Sequence, residues 1–146
     1  EARDLIADYF RTFPRVHAYM EQAKQLAREK GYAETIFHRR RYLPDITSRN
    51  NTVRGFAERN AINAPIQGSE ADIIKVAMIR IHRCFAEEGI RSKMILQVHD
   101  ELNFSVYPEE KALVERIVVE EMERAYTLSV PLVADAGWGR NWLEAH

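Results

Sequence analysis

The chain has 146 residues, enough for one domain or a compact piece of a larger one. With 46% hydrophobic and 29% charged residues it has the material for a core, which excludes a disordered chain. A net charge of −1 gives no bulk sign of a nucleic-acid partner, no apolar run approaches the roughly 20 residues of a membrane span, no secretory signal opens the chain, and the lone Cys84 fits a reducing, cytoplasmic setting.

Residues 1–11 read as a helix with Leu5, Ile6, Tyr9 and Phe10 on its apolar side. It starts at Glu1 with no initiator Met and no capping residue, which points to more protein upstream. Pro14 suits the first turn of a second helix, whose apolar positions are Val16, Tyr19, Met20, Ala23 and Ala27 and whose stop is Lys30-Gly31. Tyr32 to Phe37 and Tyr42-Leu43 flank His38-Arg39-Arg40-Arg41, which predicts a β-hairpin with a basic tip. A helix over 51–64 is expected to break at Pro65. A second then runs from about Gln67 to Glu88, closed by Gly89, with Ala71, Ile74, Met78, Ile81 and Phe85 facing a core. Met94 to Val98 and Leu102 to Tyr107 predict a tight antiparallel hairpin of two buried strands. Pro108-Glu109-Glu110 opens a helix with acids at its positive end, lined by Ala112, Leu113, Ile117, Met122 and Tyr126. Leu132 to Gly137 reads as a last strand, followed by a turn anchored by Trp138 and Trp142. With no linker or repeat, the pattern predicts one compact α+β unit, an antiparallel sheet with helices on one face.

Three features carry chemistry. The tip His99-Asp100-Glu101 has no glycine, although two-residue hairpin loops favour one. Adjacent carboxylates repel unless a cation sits nearby, and a hard cation such as Mg²⁺ takes carboxylate oxygens. A charged, solvated turn is the plainer alternative. Residues 38–59 hold six arginines (Arg39, Arg40, Arg41, Arg49, Arg54 and Arg59) against Asp45 and Glu58, a net +4 in a nearly neutral chain. Arginine forks suit phosphate and base edges, and a solvated face paired with acids elsewhere would give the same count. Arg59, Asn63 and Gln67 recur in steps of four, with Gln67 near the expected helix junction. Such side chains donate to the acceptors present in every minor groove, whereas Asn63 could equally be a helix cap.

These signals occur together in one order. Residues 59–75, with Asn63-Ala64-Pro65-Ile66-Gln67-Gly68, and the run Gln97-Val98-His99-Asp100-Glu101 resemble the C-terminal palm segment of family A DNA polymerases, the bacterial DNA polymerase I type above all. Tyr42-Leu43-Pro44-Asp45-Ile46 and the ending Gly137 to His146 share the likeness, which covers essentially all 146 residues.

The resemblance implies an antiparallel palm sheet with a catalytic hairpin packed against several helices, with the fingers and the first catalytic motif lying upstream. It implies template-directed DNA synthesis with two Mg²⁺ ions, held by Asp100 with Glu101 beside it and completed by an upstream aspartate not in this chain. Arg59, Asn63, Gln67 and His99 would touch the primer–template at its growing end, and Arg54 the DNA backbone. Deoxynucleoside triphosphates are the implied substrates of an intact, monomeric, bacterial cytoplasmic enzyme, with no further cofactor site and no membrane. The 146 residues alone are expected to be inactive. His38 departs from the glycine usual before the arginine run. A non-catalytic nucleic-acid-binding module is the alternative, and it would not need Asp100 and Glu101. A metal-dependent hydrolase would need more ligands at metal spacing.

Overall fold

The computed structural model describes residues 2–145; Glu1 and His146, which the sequence reading placed in the first helix and the closing motif, lie outside the described residues. The described chain divides into two compact units, 1–69 and 70–146, although the sequence carries no linker.

In the first unit, α1 (Ala2–Thr12) and α2 (Pro14–Lys30) are separated by Phe13. Pro14 occupies the first turn of α2, where its missing N–H costs nothing. Gly31 ends α2 at φ +76°, and its N–H donates to the Ala27 carbonyl at 2.8 Å. Strands β1 (Tyr32–Glu34) and β2 (Arg40–Tyr42) pair antiparallel, with Ala33 opposite Arg41. Arg40 and Arg41 therefore lie in a strand, and the tip is Thr35 to Arg39. A short 3₁₀ turn (Pro44–Thr47) leads to α3 (Asn51–Glu87), capped by the Asn50 carboxamide, which accepts from the Thr52 N–H at 2.9 Å.

Helix α3 corrects the expected break, because Pro65 sits inside a continuous helix. Proline removes one backbone bond and crowds the preceding turn. Side chains supply bonds around it: the Tyr19 hydroxyl donates to the Ile62 carbonyl at 2.9 Å, and the Ser69 hydroxyl donates to the Pro65 carbonyl. Ala57, Ala61 and Ala64 meanwhile pack on Ala27, Ala33, Leu43 and Ile46. Asn63 is therefore not a cap, and Gln67 lies within a helix rather than at a junction.

The second unit takes the rest of α3, where Ile74, Ala77, Ile81 and Phe85 are buried as the 3–4 spacing requires. Gly89 (φ +65°) closes the helix in a Schellman arrangement, with Ile90 N–H donating to Phe85 and Gly89 N–H to Ala86. Strands β3 (Lys93–Val98) and β4 (Glu101–Ser105) form a second two-stranded antiparallel sheet. A 3₁₀ turn (Pro108–Glu110) precedes α4 (Lys111–Glu123), and α5 (Trp142–Ala145) ends the chain. The core joins Ala77, Ile81, Phe85, Val114, Ile117 and Ala125.

The α+β class holds, with two small antiparallel hairpins in place of a single sheet. The expected strand over 132–137 is irregular. Pro131 precedes it without a donor, and the Ala134 N–H donates to the Glu123 carboxylate instead of to a neighbouring strand. Strand β3 is also less buried than expected, with Ile95 in a bulge and 64% exposed.

His38 adopts φ +65° at the first hairpin tip, a region that suits glycine, and its ring Nδ1 sits 2.9 Å from Glu34 Oε1. His38→Gly is expected to leave stability unchanged or raise it by up to about 1 kcal/mol, whereas the β-branched His38→Val should lower it by about 1–2 kcal/mol. Urea denaturation of the three proteins checks the order.

Candidate active site

Val98 pairs with Glu101, so the loop of the second hairpin is just His99 and Asp100. Of the two, His99 alone has a positive φ, +53°, the sign pattern of a type II′ turn, whose first position normally takes glycine. The Gln97 carboxamide donates to the His99 carbonyl at 3.0 Å and braces the turn. His99 and Asp100 are exposed and Glu101 is half-buried at the start of β4. The turn thus holds two hard oxygen donors at one end of a short, register-locked hairpin. Among the described residues no group of three or more His, Cys, Asp or Glu side chains could hold a metal.

The root of this hairpin is tied by a network that the sequence reading did not identify. The Glu110 carboxylate accepts from the Arg91 N–H (3.0 Å), the Ser92 N–H (2.8 Å) and the Ser92 hydroxyl (2.5 Å). The Ser92 Oγ in turn accepts from the Tyr107 N–H at 3.0 Å. Ser92 precedes β3 and Tyr107 follows β4, so one buried hydroxyl joins both ends. The Arg91 guanidinium stacks 4.2 Å from the Tyr107 ring centre and pairs with Glu109. These bonds, led by the one from Ser92, hold the Glu110 carboxyl down at about 2. The acids expected to favour the helix dipole here serve as acceptors for the loop before β3. A signal was present in Ser92 and the Pro108-Glu109-Glu110 run, but their pairing across the hairpin is tertiary.

In the first unit, Arg59, Asn63 and Gln67 are all exposed on α3. Steps of four residues keep them on one face over about 12 Å of helix. Phe56 and Ile66 lie exposed on the same helix, and the Arg59 guanidinium is 5.9 Å from the Phe56 ring centre. Gln67 also lines a cavity of about 160 Å³ with Ala33, Thr35, Arg39, Arg41, Ala64 and Gly68. Arg54 is apart from this row. Its guanidinium donates to the Ser48 carbonyl (2.9 Å) and the Asn51 carboxamide (2.7 Å), bracing the loop before α3. Of the other arginines, Arg39 donates to the Gly68 carbonyl and Arg40 pairs with Glu34 over the Tyr32 ring. The structure thus brings His99, Asp100 and Glu101 together on one hairpin, and Arg59, Asn63 and Gln67 together on one helix face.

Residues 1–144 match the model of DNA polymerase family A, and the chain belongs to that family. It is 53% identical to DNA polymerase I of Bacillus caldotenax, 52% to that of Geobacillus stearothermophilus and 51% to that of Streptococcus pneumoniae (strain TIGR4), in each case over 145 residues and 99% of this chain. It spans only 16–17% of the length of these relatives. A solved structure, the POL domain of Pol1 from M. smegmatis in complex with DNA primer-template and dNTP, matches with a TM-score of 0.97 and 48% identity over 99% of this chain and 26% of that one.

Glu110 is expected to stabilise the hairpin root with a defined pH dependence. Its folded-state pKa is depressed, so its contribution is present in full above the ordinary carboxylate range and is lost as pH falls toward about 2. Glu110→Gln should therefore speed amide exchange in β3 and β4 at neutral pH, with the difference from wild type narrowing as pH drops below about 4. Hydrogen-exchange mass spectrometry across that range checks this.

Proposed function

We propose that this chain works as part of the palm of a DNA polymerase I, in a protein that extends a primer 3′ end on a DNA template with deoxynucleoside triphosphates. The observation that carries the reading is the acid-bearing turn His99-Asp100-Glu101 on a braced hairpin, in a chain about half identical to bacterial DNA polymerase I over 99% of its length. The structural neighbour's complex with primer-template and dNTP supports the same partners. The relatives are bacterial, which suits the bacterial cytoplasmic setting expected from the sequence. No described helix is long and apolar enough to cross a membrane.

Asp100 would hold Mg²⁺ with Glu101 beside it, since carboxylate oxygens are the donors a hard cation prefers, and the rest of the set would come from an aspartate outside these residues, phosphate and water. When bound, two such ions supply activation of the primer 3′-hydroxyl and stabilisation of the leaving pyrophosphate. The chain's own part is to present the Asp100 carboxylate without slack, which the two-residue turn and the Gln97 brace favour. His99, exposed on that turn, would contact the primer terminus. Arg59, Asn63 and Gln67 would donate to minor-groove acceptors of the terminal base pairs, which occupy common positions in all correct pairs. Arg54, largely engaged with Ser48 and Asn51, would add charge to the DNA face and hold the start of α3.

In the intact enzyme, Asp100→Ala should lower kcat by about 10³-fold or more while duplex affinity changes by less than about threefold, because a lost metal ligand weakens the transition state rather than the ground state. Glu101→Ala should cost about tenfold. Single-turnover extension with a matched primer measures both, and near-normal turnover by Asp100→Ala would leave the non-catalytic binding module standing.

Arg59→Ala and Gln67→Ala should each slow extension and lower the ratio of matched to mismatched extension by about tenfold, because a mispair displaces acceptors that these donors need. The effect should be similar on different template sequences. A purely phosphate-binding role would instead weaken binding uniformly, reduce its salt dependence and leave the ratio unchanged. Extension from matched and mismatched primers at two salt concentrations separates the two.

A further inference from the structure

The tip of the first hairpin is seated on α3 immediately after Pro65. The Ile36 N–H donates to the Ser69 hydroxyl at 3.0 Å, and the Arg39 guanidinium donates to the Gly68 carbonyl at 3.0 Å. Gly68 leaves room for this. A Cβ there would lie 2.7 Å from the Thr35 methyl and 3.3 Å from Arg39 Nη2. Thr35 is buried, and its hydroxyl accepts from the N–H groups of Phe37 and Arg39, both at 3.2 Å, which shapes the tip. Thr35, Arg39 and Gly68 also line the cavity that Gln67 borders. Helix propensity does not account for the glycine, since alanine is favoured by about 1 kcal/mol in a helix interior.

We propose that the bare backbone at Gly68 is a positioning seat: the hairpin tip, which fits there only without a Cβ beneath Thr35 and is bonded to Gly68 and Ser69 through Arg39 and Ile36, holds α3 in line across Pro65 and so fixes Gln67 in the row with Arg59 and Asn63. Proline leaves the helix one bond short at the point where Gln67 must follow Asn63 in phase. The tip supplies two bonds on the far side of that gap. Thr35 and Gly68 touch no DNA in this proposal and act through Gln67, so it rests on the minor-groove role proposed above.

The test uses the full-length polymerase with Gly68→Ala, Thr35→Ser, the double variant, and Gln67→Ala as reference. Gly68→Ala should lower the matched-to-mismatched extension ratio by about tenfold, toward that of Gln67→Ala, because a small misplacement of a positioned group is costly. Thr35→Ser keeps the hydroxyl, lacks the methyl, and should leave rate and ratio unchanged. The double variant removes the collision and should restore the ratio to within about twofold of wild type. The salt dependence of duplex binding should be the same in all four. An unchanged ratio in Gly68→Ala, or a lowered ratio that Thr35→Ser does not restore, overturns the proposal. Should Gly68→Ala alone fail to fold, a folded double variant with the wild-type ratio supports the contact, and failure of the double variant overturns it. An unchanged ratio in Gln67→Ala would show instead that the minor-groove reading is wrong, and the positioning role would fall with it.

Discussion

The arrangement of the first unit depends on a helix that continues through a proline. Pro65 has no N–H to give the Ala61 carbonyl, and local rules end a helix near such a residue. Helix α3 persists because tertiary contacts outweigh that loss. Ala57, Ala61 and Ala64 present only methyl groups to Ala27, Ala33, Leu43 and Ile46, so the elements approach closely along the helix. Tyr19 and Ser69 donate to carbonyls on either side of the proline. Burying one face turns the opposite one outward, and that exposed face carries Arg59, Asn63 and Gln67. Had the helix stopped at Asn63, the three side chains would share no face, and a row of donors along one helix would not exist.

Both hairpins place a histidine where glycine would be cheapest. His38 and His99 have φ of +65° and +53°, each a conformation that costs a non-glycine residue about 1–2 kcal/mol. The surroundings hold each in place differently. His38 faces the Glu34 carboxylate, which its ring and Arg40 keep below the ordinary carboxylate range. His99 is fixed through its own carbonyl by Gln97, and the strands on either side are closed at their far ends by Ser92 and Glu110. The second hairpin is thus braced at tip and root, with the bulge at Ile95 between. Strain tolerated at the tip and bonds concentrated at the root suit a loop that, on the proposed reading, would hold the Asp100 carboxylate in one place.

The sequence made much of this legible where a local rule governs. The stops at Gly31 and Gly89, the proline opening α2, the apolar spacing of Ile74, Ile81 and Phe85 and the two hairpins follow from backbone freedom and periodicity. The acids at 100 and 101 and the row at 59, 63 and 67 stood out by residue type and spacing, but a role for them came only with the family resemblance. What was not legible is set by partners distant in the chain. Whether Pro65 breaks α3 is decided by residues from 19 to 46. Whether Val133 joins a sheet depends on a neighbouring strand, and Val133 is 72% exposed. Periodicity also marks an apolar side without saying what covers it: Leu5, Ile6 and Tyr9 stand on α1 as the spacing requires, and each remains exposed. Glu110 and Ser92 meet across 18 positions, a pairing that neither neighbourhood signals.

Charge counting is the instructive case. Six arginines over residues 38–59 read as a basic patch, yet the fold uses several of them as bracing. Arg39 is spent on the Gly68 carbonyl, Arg40 on Glu34 and Tyr32, and Arg54 on the loop before α3. Glu58, counted against the patch, pairs with Arg28 at 2.6 Å. A guanidinium can brace a carbonyl and still present its remaining donors and its charge outward, so the two uses are not exclusive. The consequence lies in how the face would hold DNA. Asn63 and Gln67 are neutral donors beside one arginine, and neutral donors gain little from counterion release. On the proposed reading their contribution would depend on geometry, favourable where acceptors lie in the positions shared by all correct base pairs and lost where they do not. If the proposed reading holds, a nearly neutral chain would form part of a DNA-binding surface whose selectivity comes from the alignment of one helix face rather than from the amount of positive charge upon it.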